Sequence, residues 1–331
     1  MKILLPLVAV LALVLAGYAG AASGSLQTIF GIVLPYAALA VFVLGMVYRL
    51  ARWARSPVPF RIPTTGGQQQ SLPWIRRSRL DNPSTTLEVL GRMALEVLCF
   101  RSLFRNTKIE LRDGKLGYGS AKWLWLAGMA FHYSMLLILL RHLRFFLAPI
   151  PGFVHFLESA DGLFQVGVPV LYITDAVFLL AATYLFLRRV VIPHVAYVSL
   201  PADYFPLFLL LGIATTGVLM RYFVRVDVLK VKELAVGLAT FHPVVPQGIG
   251  PLFFAHLFLV SALFAYFPFS KLVHLGGVFL SPTRNLPNNS RAVRHVNPWN
   301  PAVKVHSYDE YEDDFREKMK AAGLPVEKES P

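Results

Sequence analysis

Residues 128–146 read GMAFHYSMLLILLRHLRFF, a run apolar enough for lipid that nevertheless carries two histidines ten positions apart, His132 and His142. Ionisable side chains inside a membrane span are costly, and they generally mark a functional site. The run lies in a chain of 331 residues that is 55% hydrophobic and only 15% charged. Such a composition describes a polytopic membrane protein. The fold class it predicts is all-α, an integral-membrane helical bundle with a polar loop and tail.

Six apolar runs approach the ~20 residues that a bilayer helix needs: 3–22, 26–50, 121–140, 167–187, 204–222 and 251–272. The first also resembles a signal peptide, with Lys2, an apolar stretch and then small residues. Four regions follow: two N-terminal membrane helices (1–50), a basic loop with an amphipathic helix (51–120), a four-helix domain (121–282) and a tail (283–331). Fourteen Lys and Arg fall in 49–122 and nine from Lys271 onward, with Arg188 and Arg189 between. If the helices alternate, all three groups share one side. Positive charge favours the cytoplasmic face, so both termini are expected there, on a cell-membrane protein. The same rule explains the net charge of +13 without nucleic acid. Arg221, Arg225, Lys230 and Lys232 fall on the other side and need another cause.

Within the loop, STTLEVLGRMALEVLCFRSLFR (84–105) predicts a helix with an apolar face at Leu87, Leu90, Ala94, Val97 and Leu98. That face suits either the membrane surface or a docking subunit. The tail SYDEYEDDFREKMKAA (307–322) is mixed-charge and helix-prone. No P-loop, dinucleotide-binding glycine pattern or hydrolase triad occurs. The one cysteine, Cys99, excludes covalent CxxCH haem attachment and cysteine-ligated iron–sulfur clusters within this chain.

The last span, FFAHLFLVSALFAYFPFSKLVHLGG, carries His256 and His274 eighteen positions apart, five whole helical turns. Alternating topology puts His132 level with His274, and His142 level with His256. Each pair can ligate one haem b without covalent attachment, two haems in all. The separations disagree, about 15 Å along the early helix against about 27 Å along the late one. A bend at Pro268 or a helix crossing would reduce the mismatch. A histidine-based ion or proton transporter and a scaffold for soluble subunits are the rival classes. Transporter sites converge at mid-membrane, whereas these pairs separate to two levels. His155, His194, His242, His295 and His306 read as ordinary loop or tail residues. Haem propionates are anionic, which assigns Arg141, Arg144, Arg221 and Arg225 to the outer haem and Lys271 to the inner one.

The histidine spacings and the segment YFPFSKLVHLGGVFLSP resemble the gamma subunit of respiratory nitrate reductase, a di-haem cytochrome b, over roughly 120–282. That resemblance implies the same pairing, His132 with His274 and His142 with His256. The extra first helix, the basic loop and the ending SPTRNLPNNSRAVRHVNPWNP are similar instead to the membrane cytochrome b subunits (DsrM) of the dissimilatory sulfite reduction complex. This second resemblance implies electron transfer between menaquinone and a cytoplasmic iron–sulfur subunit resembling heterodisulfide reductase. It also implies further membrane and multihaem cytochrome c subunits. The nitrate reductase family has a quinol-site lysine in the loop after its first histidine helix, but APIPGFVHFLESADGLF (148–164) has none. The quinone-site candidates here are His155, Glu158, Asp161 and Tyr222. Nothing in the chain provides a catalytic centre for sulfur or nitrogen chemistry.

Overall fold

The computed structural model describes residues 1–56, 58, 61–62, 67–164, 169–292 and 305–328. The chain begins with α1 (Leu4–Ala22), then a π-helical turn (Ile29–Val33) that runs into α2 (Leu34–Ala54). A surface segment follows, with α3 (Thr86–Cys99), α4 (Arg101–Arg105) and a hairpin of β1 (Thr107–Arg112) and β2 (Lys115–Ser120). Next come α5 (Lys122–Phe146), α6 (Gly152–Asp161), the short strands β3 (Gly162–Phe164) and β4 (Leu171–Tyr172), and α7 (Ile173–Val191). The chain continues through α8 (Pro193–Val198), α9 (Pro201–Val218) with a π-turn to Val224, α10 (Val228–Ala239) and α11 (Pro251–Tyr266). It ends with α12 (His274–Gly277) and α13 (Tyr308–Ala321).

Five helices are long and apolar enough to cross a membrane: Leu4–Ala22, Ile29–Ala54, Lys122–Phe146, Pro201–Val224 and Pro251–Phe269. The sixth expected span is α7, which starts at Ile173 and carries Asp175, Arg188 and Arg189 at its ends. Those charges keep it out of the five, although it packs between α5 and α9 as a member of the bundle. Residues 167–168 of that expected run lie outside the described residues. Successive helices run in opposite directions. One end of the bundle, here the basic end, bears the 51–121 segment, and α6 and α10 lie at the opposite end.

Small residues set the helix spacing, as they do where lipid supplies no hydrophobic drive to association. A Cβ on Gly17 of α1 would come within 2.9 Å of Ala255 Cα, and one on Gly45 of α2 within 2.7 Å of Pro268. The N-terminal helix thus packs on the bundle through one face, with Val10 buried against Leu209 of α9 and Leu259 of α11, while Leu4, Leu5, Leu11 and Leu15 are exposed.

The last span departs from the continuous helix expected over 251–272. Pro268 sits in a tight 3-10 turn, Ser270 is extended (φ −115°, ψ −179°), and a second 3-10 turn over Lys271–Val273 leads into α12. Proline cannot donate to the helical ladder, and here the chain takes that opportunity to stop and restart. The five-turn phase relation between His256 and His274 therefore does not apply.

The hairpin was not anticipated, although its sequence is explicit. TKIELRDGKLGYGS alternates around Asp113-Gly114, both left-handed (φ 51° and 75°), the residues a two-residue hairpin turn demands. Ile109 faces Tyr118 and Leu111 faces Leu116 across the ladder, and all four are exposed.

The helix expected over 84–105 breaks at Phe100, which takes the left-handed conformation (φ 48°) between α3 and α4. Its apolar face is exposed, and its polar face, Arg92 and Glu96, is buried within the segment itself. Arg92 Nε donates to Glu96 at 2.8 Å, and its Nη1 donates to Leu80 O at 2.8 Å. Arg77 grips Glu88 with both terminal nitrogens at 2.7 Å, while Arg101 and Arg105 donate to Asp81. Burial pushes the Asp81 carboxyl up, but bonds from Arg101, Arg105 and Ser78 outweigh it and hold it at about 2. Arg77, aided by Ser84, holds Glu88 down at about 2 as well. Both folded values lie below the unfolded ones, so the contribution is complete above pH ~4.5 and lost as pH falls through about 2. The thermal midpoint should be flat from pH 8 to 5 and fall below pH 4. In the double variant Asp81→Asn/Glu88→Gln it should be lower at neutral pH, with a shallower acid limb.

Candidate cofactor site: two histidine pairs

The four intramembrane histidines are positioned by the same device. Nδ1 of His132 lies 2.7 Å from Gly128 O, Nδ1 of His142 lies 2.7 Å from Ile138 O, and Nδ1 of His274 lies 3.0 Å from Lys271 O. A carbonyl oxygen only accepts, so in each case Nδ1 carries the proton and donates it. Nδ1 of His256 lies 2.8 Å from Thr216 Oγ1, whose own hydroxyl is 2.8 Å from Gly212 O and 2.9 Å from Ile213 O. The hydroxyl donates to the backbone and accepts from His256. A neutral imidazole has one N–H, so all four rings are left with a bare Nε2, the nitrogen a metal takes when the other is anchored.

The pairing follows the expected levels. His132 and His274 face each other with ring centres 6.1 Å apart and planes at 89°. Two imidazoles sharing one metal atom through bonds of ~2.0–2.1 Å, with each ring centre ~1.1 Å beyond its nitrogen, place their centres ~6 Å apart. His142 and His256 lie within electrostatic reach of each other towards the opposite end. The close neighbours of α5 are α7 and α10, and those of α11 are α1, α2 and α9. The imidazoles thus reach across a boundary where the two helices are not packed tightly together. Among the described residues no three His, Cys, Asp or Glu side chains converge as a metal-ion cluster. The donor set is two plus two, and it fits haem b.

Phe100 presents its edge to the His132 ring with centres 5.0 Å apart. Its position is fixed from α5, because Trp125 Nε1 donates to Cys99 O and Tyr133 Oη to Leu98 O, both at 2.8 Å. A bulky residue in the left-handed region is strained, and such strain persists only where the surroundings over-determine it. Gly128 has room for a Cβ, whose nearest neighbour would be Leu103 at 3.7 Å. Its contribution to the site is the carbonyl that accepts from His132 Nδ1.

The basic residues expected near the outer pair are engaged within the protein. Arg141 is buried, with Nε 3.1 Å from Asp161 and Nη2 2.8 Å from Asp175, and it stacks 3.7 Å from the Tyr172 ring centre. Asp161 also accepts from Thr174 N and Oγ1. Arg221 lies 4.1 Å from the same Tyr172 ring and donates to Val170 O, while its Nε meets no acceptor. Tyr222 donates to Asp175 at 3.0 Å. Arg144 pairs with Glu158 at 2.7 Å, and His155 lies 3.8 Å from the same carboxylate with its side chain 61% exposed. Arg225 turns the chain out of α9 with φ 52°. At the other end Lys271 binds Asp203 at 2.6 Å. The structure therefore brings Arg141, Arg221, Asp161 and Tyr222 into one network and adds Tyr172, Thr174 and Asp175, which the sequence reading missed. Asp175 was visible as an acid opening an apolar run, and Thr216 as a hydroxyl within one.

Arg141 compensates two buried carboxylates at once. Arg141→Met should therefore destabilise the protein by roughly 3–5 kcal/mol. Adding Asp161→Asn and Asp175→Asn should recover much of that loss in denaturant titration, because neutral groups no longer need the cation.

Residues 100–295 match the family model described as nitrate reductase gamma subunit, a span that contains all four histidines. The chain is 50% identical over 281 residues to the Hdr-like menaquinol oxidoreductase cytochrome b-like subunit of Archaeoglobus fulgidus, covering 83% of this chain and 84% of that protein. The protein of the same description from Archaeoglobus profundus is 43% identical over 275 residues, covering 81% of this chain and 82% of its own length. With its four anchored imidazoles inside the matched span, the chain belongs to the nitrate reductase gamma subunit family.

Proposed function

We propose that the chain is the di-haem cytochrome b-type membrane subunit of a quinol-linked oxidoreductase. It conveys electrons between menaquinol and an iron–sulfur subunit docked at the basic end. One observation carries this reading: all four intramembrane histidines are held by Nδ1 with Nε2 bare, in two pairs at two levels. The relatives support the quinol, being described as menaquinol oxidoreductase subunits, and the term Hdr-like supports a partner resembling heterodisulfide reductase. The basic end is then cytoplasmic, with both termini there. The ending after Leu280 supports a complex associated with sulfite reduction that includes further membrane and multihaem cytochrome c subunits.

Haem b bound at each pair would supply a one-electron centre held by two neutral ligands. His132 with His274, and His142 with His256, would provide those ligands through Nε2. The Nδ1 hydrogen bonds fix the ring orientation and raise ligand basicity. Phe100 and Phe131, both edge-on to His132, wall that ring on two sides. We assign quinol oxidation to the opposite end. A quinol must release two protons there, which calls for an accessible titratable group. His155 is the group offered to solvent, whereas Asp161 and Tyr222 are committed to the arginine network and position it. Arg221 retains a free Nε and is the cation we assign to a propionate at that level.

Pyridine haemochrome analysis of the purified chain should give two non-covalent haems, and a value near zero would leave the transporter and scaffold readings. His132→Ala or His274→Ala should remove one spectral component, and His142→Ala or His256→Ala the other. If His132→Ala and His142→Ala remove the same component, the pairing is wrong. Thr216→Val should weaken haem retention at the second pair by about 10–100-fold, while Thr216→Ser keeps it. His155→Ala should slow menaquinol-driven reduction without changing the spectrum.

A further inference from the structure

Arg61 lies in the segment that follows α2, where Ile62 N donates to Pro282 O and Arg61 Nη1 to Leu286 O at 3.3 Å. The residue is 4% exposed. Its Nε and Nη2 are buried and meet no acceptor among the described residues. These two nitrogens form one edge of the guanidinium, the fork that grips a carboxylate or phosphate through two parallel bonds. Arg92 is the charged neighbour that Arg61 feels, and burial and this like charge both push its pKa down. Arginine nevertheless stays protonated in proteins. The carboxylates nearest Arg92 are already taken, Glu96 by Arg92 and Ser102, and Asp81 by Arg101 and Arg105.

The sequence shows why no local carboxylate reaches the fork. Residues 1–80 and 234–308 contain no Asp or Glu at all, so both segments that frame Arg61 are free of acid along their whole length. A buried cation with two unmet donors is costly, and a buried group of that kind calls for an explanation such as a bound ion.

We propose that the Nε/Nη2 edge of Arg61 is an oxyanion site, filled by two oxygens of one acidic group on a bound molecule. Two sources would bring such a group to this end of the bundle: an anionic phospholipid through its phosphate, and haem through a propionate. The second source rests on the proposed function, and the first stands without it.

The test is the sign of a stability change. Replacing an unpaired buried cation by Met removes a penalty and raises the thermal midpoint, whereas replacing a cation that holds an anion lowers it. Arg61→Met is compared with wild type as delipidated haem-free protein, after adding phosphatidylglycerol in mixed micelles, and as haem-loaded protein. A midpoint raised by several degrees in the bare state and lowered in a loaded state is the expected result, and the loaded state that reverses the sign identifies the source. A midpoint raised or unchanged in every state overturns the proposal. Should Arg61→Met fail to fold, Arg61→Lys retains the charge without the fork. The wild-type midpoint shift on adding phosphatidylglycerol or haem should then shrink in that variant, and an undiminished shift overturns the site. If the chain takes up no haem, the phospholipid arm alone decides.

Discussion

Between Phe267 and Lys271 the last membrane helix stops, extends for one residue at Ser270 and restarts, and the placement of His274 depends on that interruption. A continuous helix would carry His274 about 27 Å from His256, whereas the partners on α5 are only about 15 Å apart along their axis. The break redirects the chain, and beyond it the His274 ring lies 6.1 Å from that of His132. It is secured from outside by α2, where Gly45 lets Pro268 come close, and where Leu50 and Trp53 pack on Gly276 and Gly277. A helix outside the histidine-bearing pair thereby governs the geometry of the basic-end pair.

The opposite end solves a different problem. Arg141, Arg144 and Lys230 all lie at that end, where the orientation proposed above disfavours positive charge. Each is matched by acids from the same end: Arg141 by Asp161 and Asp175, Arg144 by Glu158, and Lys230 by Asp227. Arg141, Arg144 and Lys230 are thus neutralised within the protein, whereas Arg221 rests on Val170 O and the Tyr172 ring. Tyr172 gives Arg141 and Arg221 a shared aromatic surface, an arrangement suited to guanidinium and not to ammonium.

Much of this was legible in one sequence because lipid simplifies the code. The apolar runs marked the spans to within a few residues, and the rarity of histidine in such runs singled out His132, His142, His256 and His274. The meeting of His132 with His274 followed from alternation alone. What escaped is what depends on contacts between distant segments. The acceptor for His256 is Thr216, forty residues away, and a threonine in an apolar helix bonds its own backbone by default. Asp175 reads as a helix-start acid until Arg141 and Tyr222 are placed beside it. The hairpin at 107–120 is a separate case, since Asp113-Gly114 is a turn signal local to the sequence and needs no distant partner.

Phe100 stands at the corner between α3 and α4, and at the first residue of the span that matches the family. Its ring walls His132, while its backbone neighbours Leu98 and Cys99 are tethered to Tyr133 and Trp125 of α5. The chain consequently has no clean seam between a soluble piece and a membrane piece. Trimming it at residue 121 to obtain a minimal bundle would remove the wall from the imidazole and bare the tethers on α5. The surface segment is part of the lining around His132.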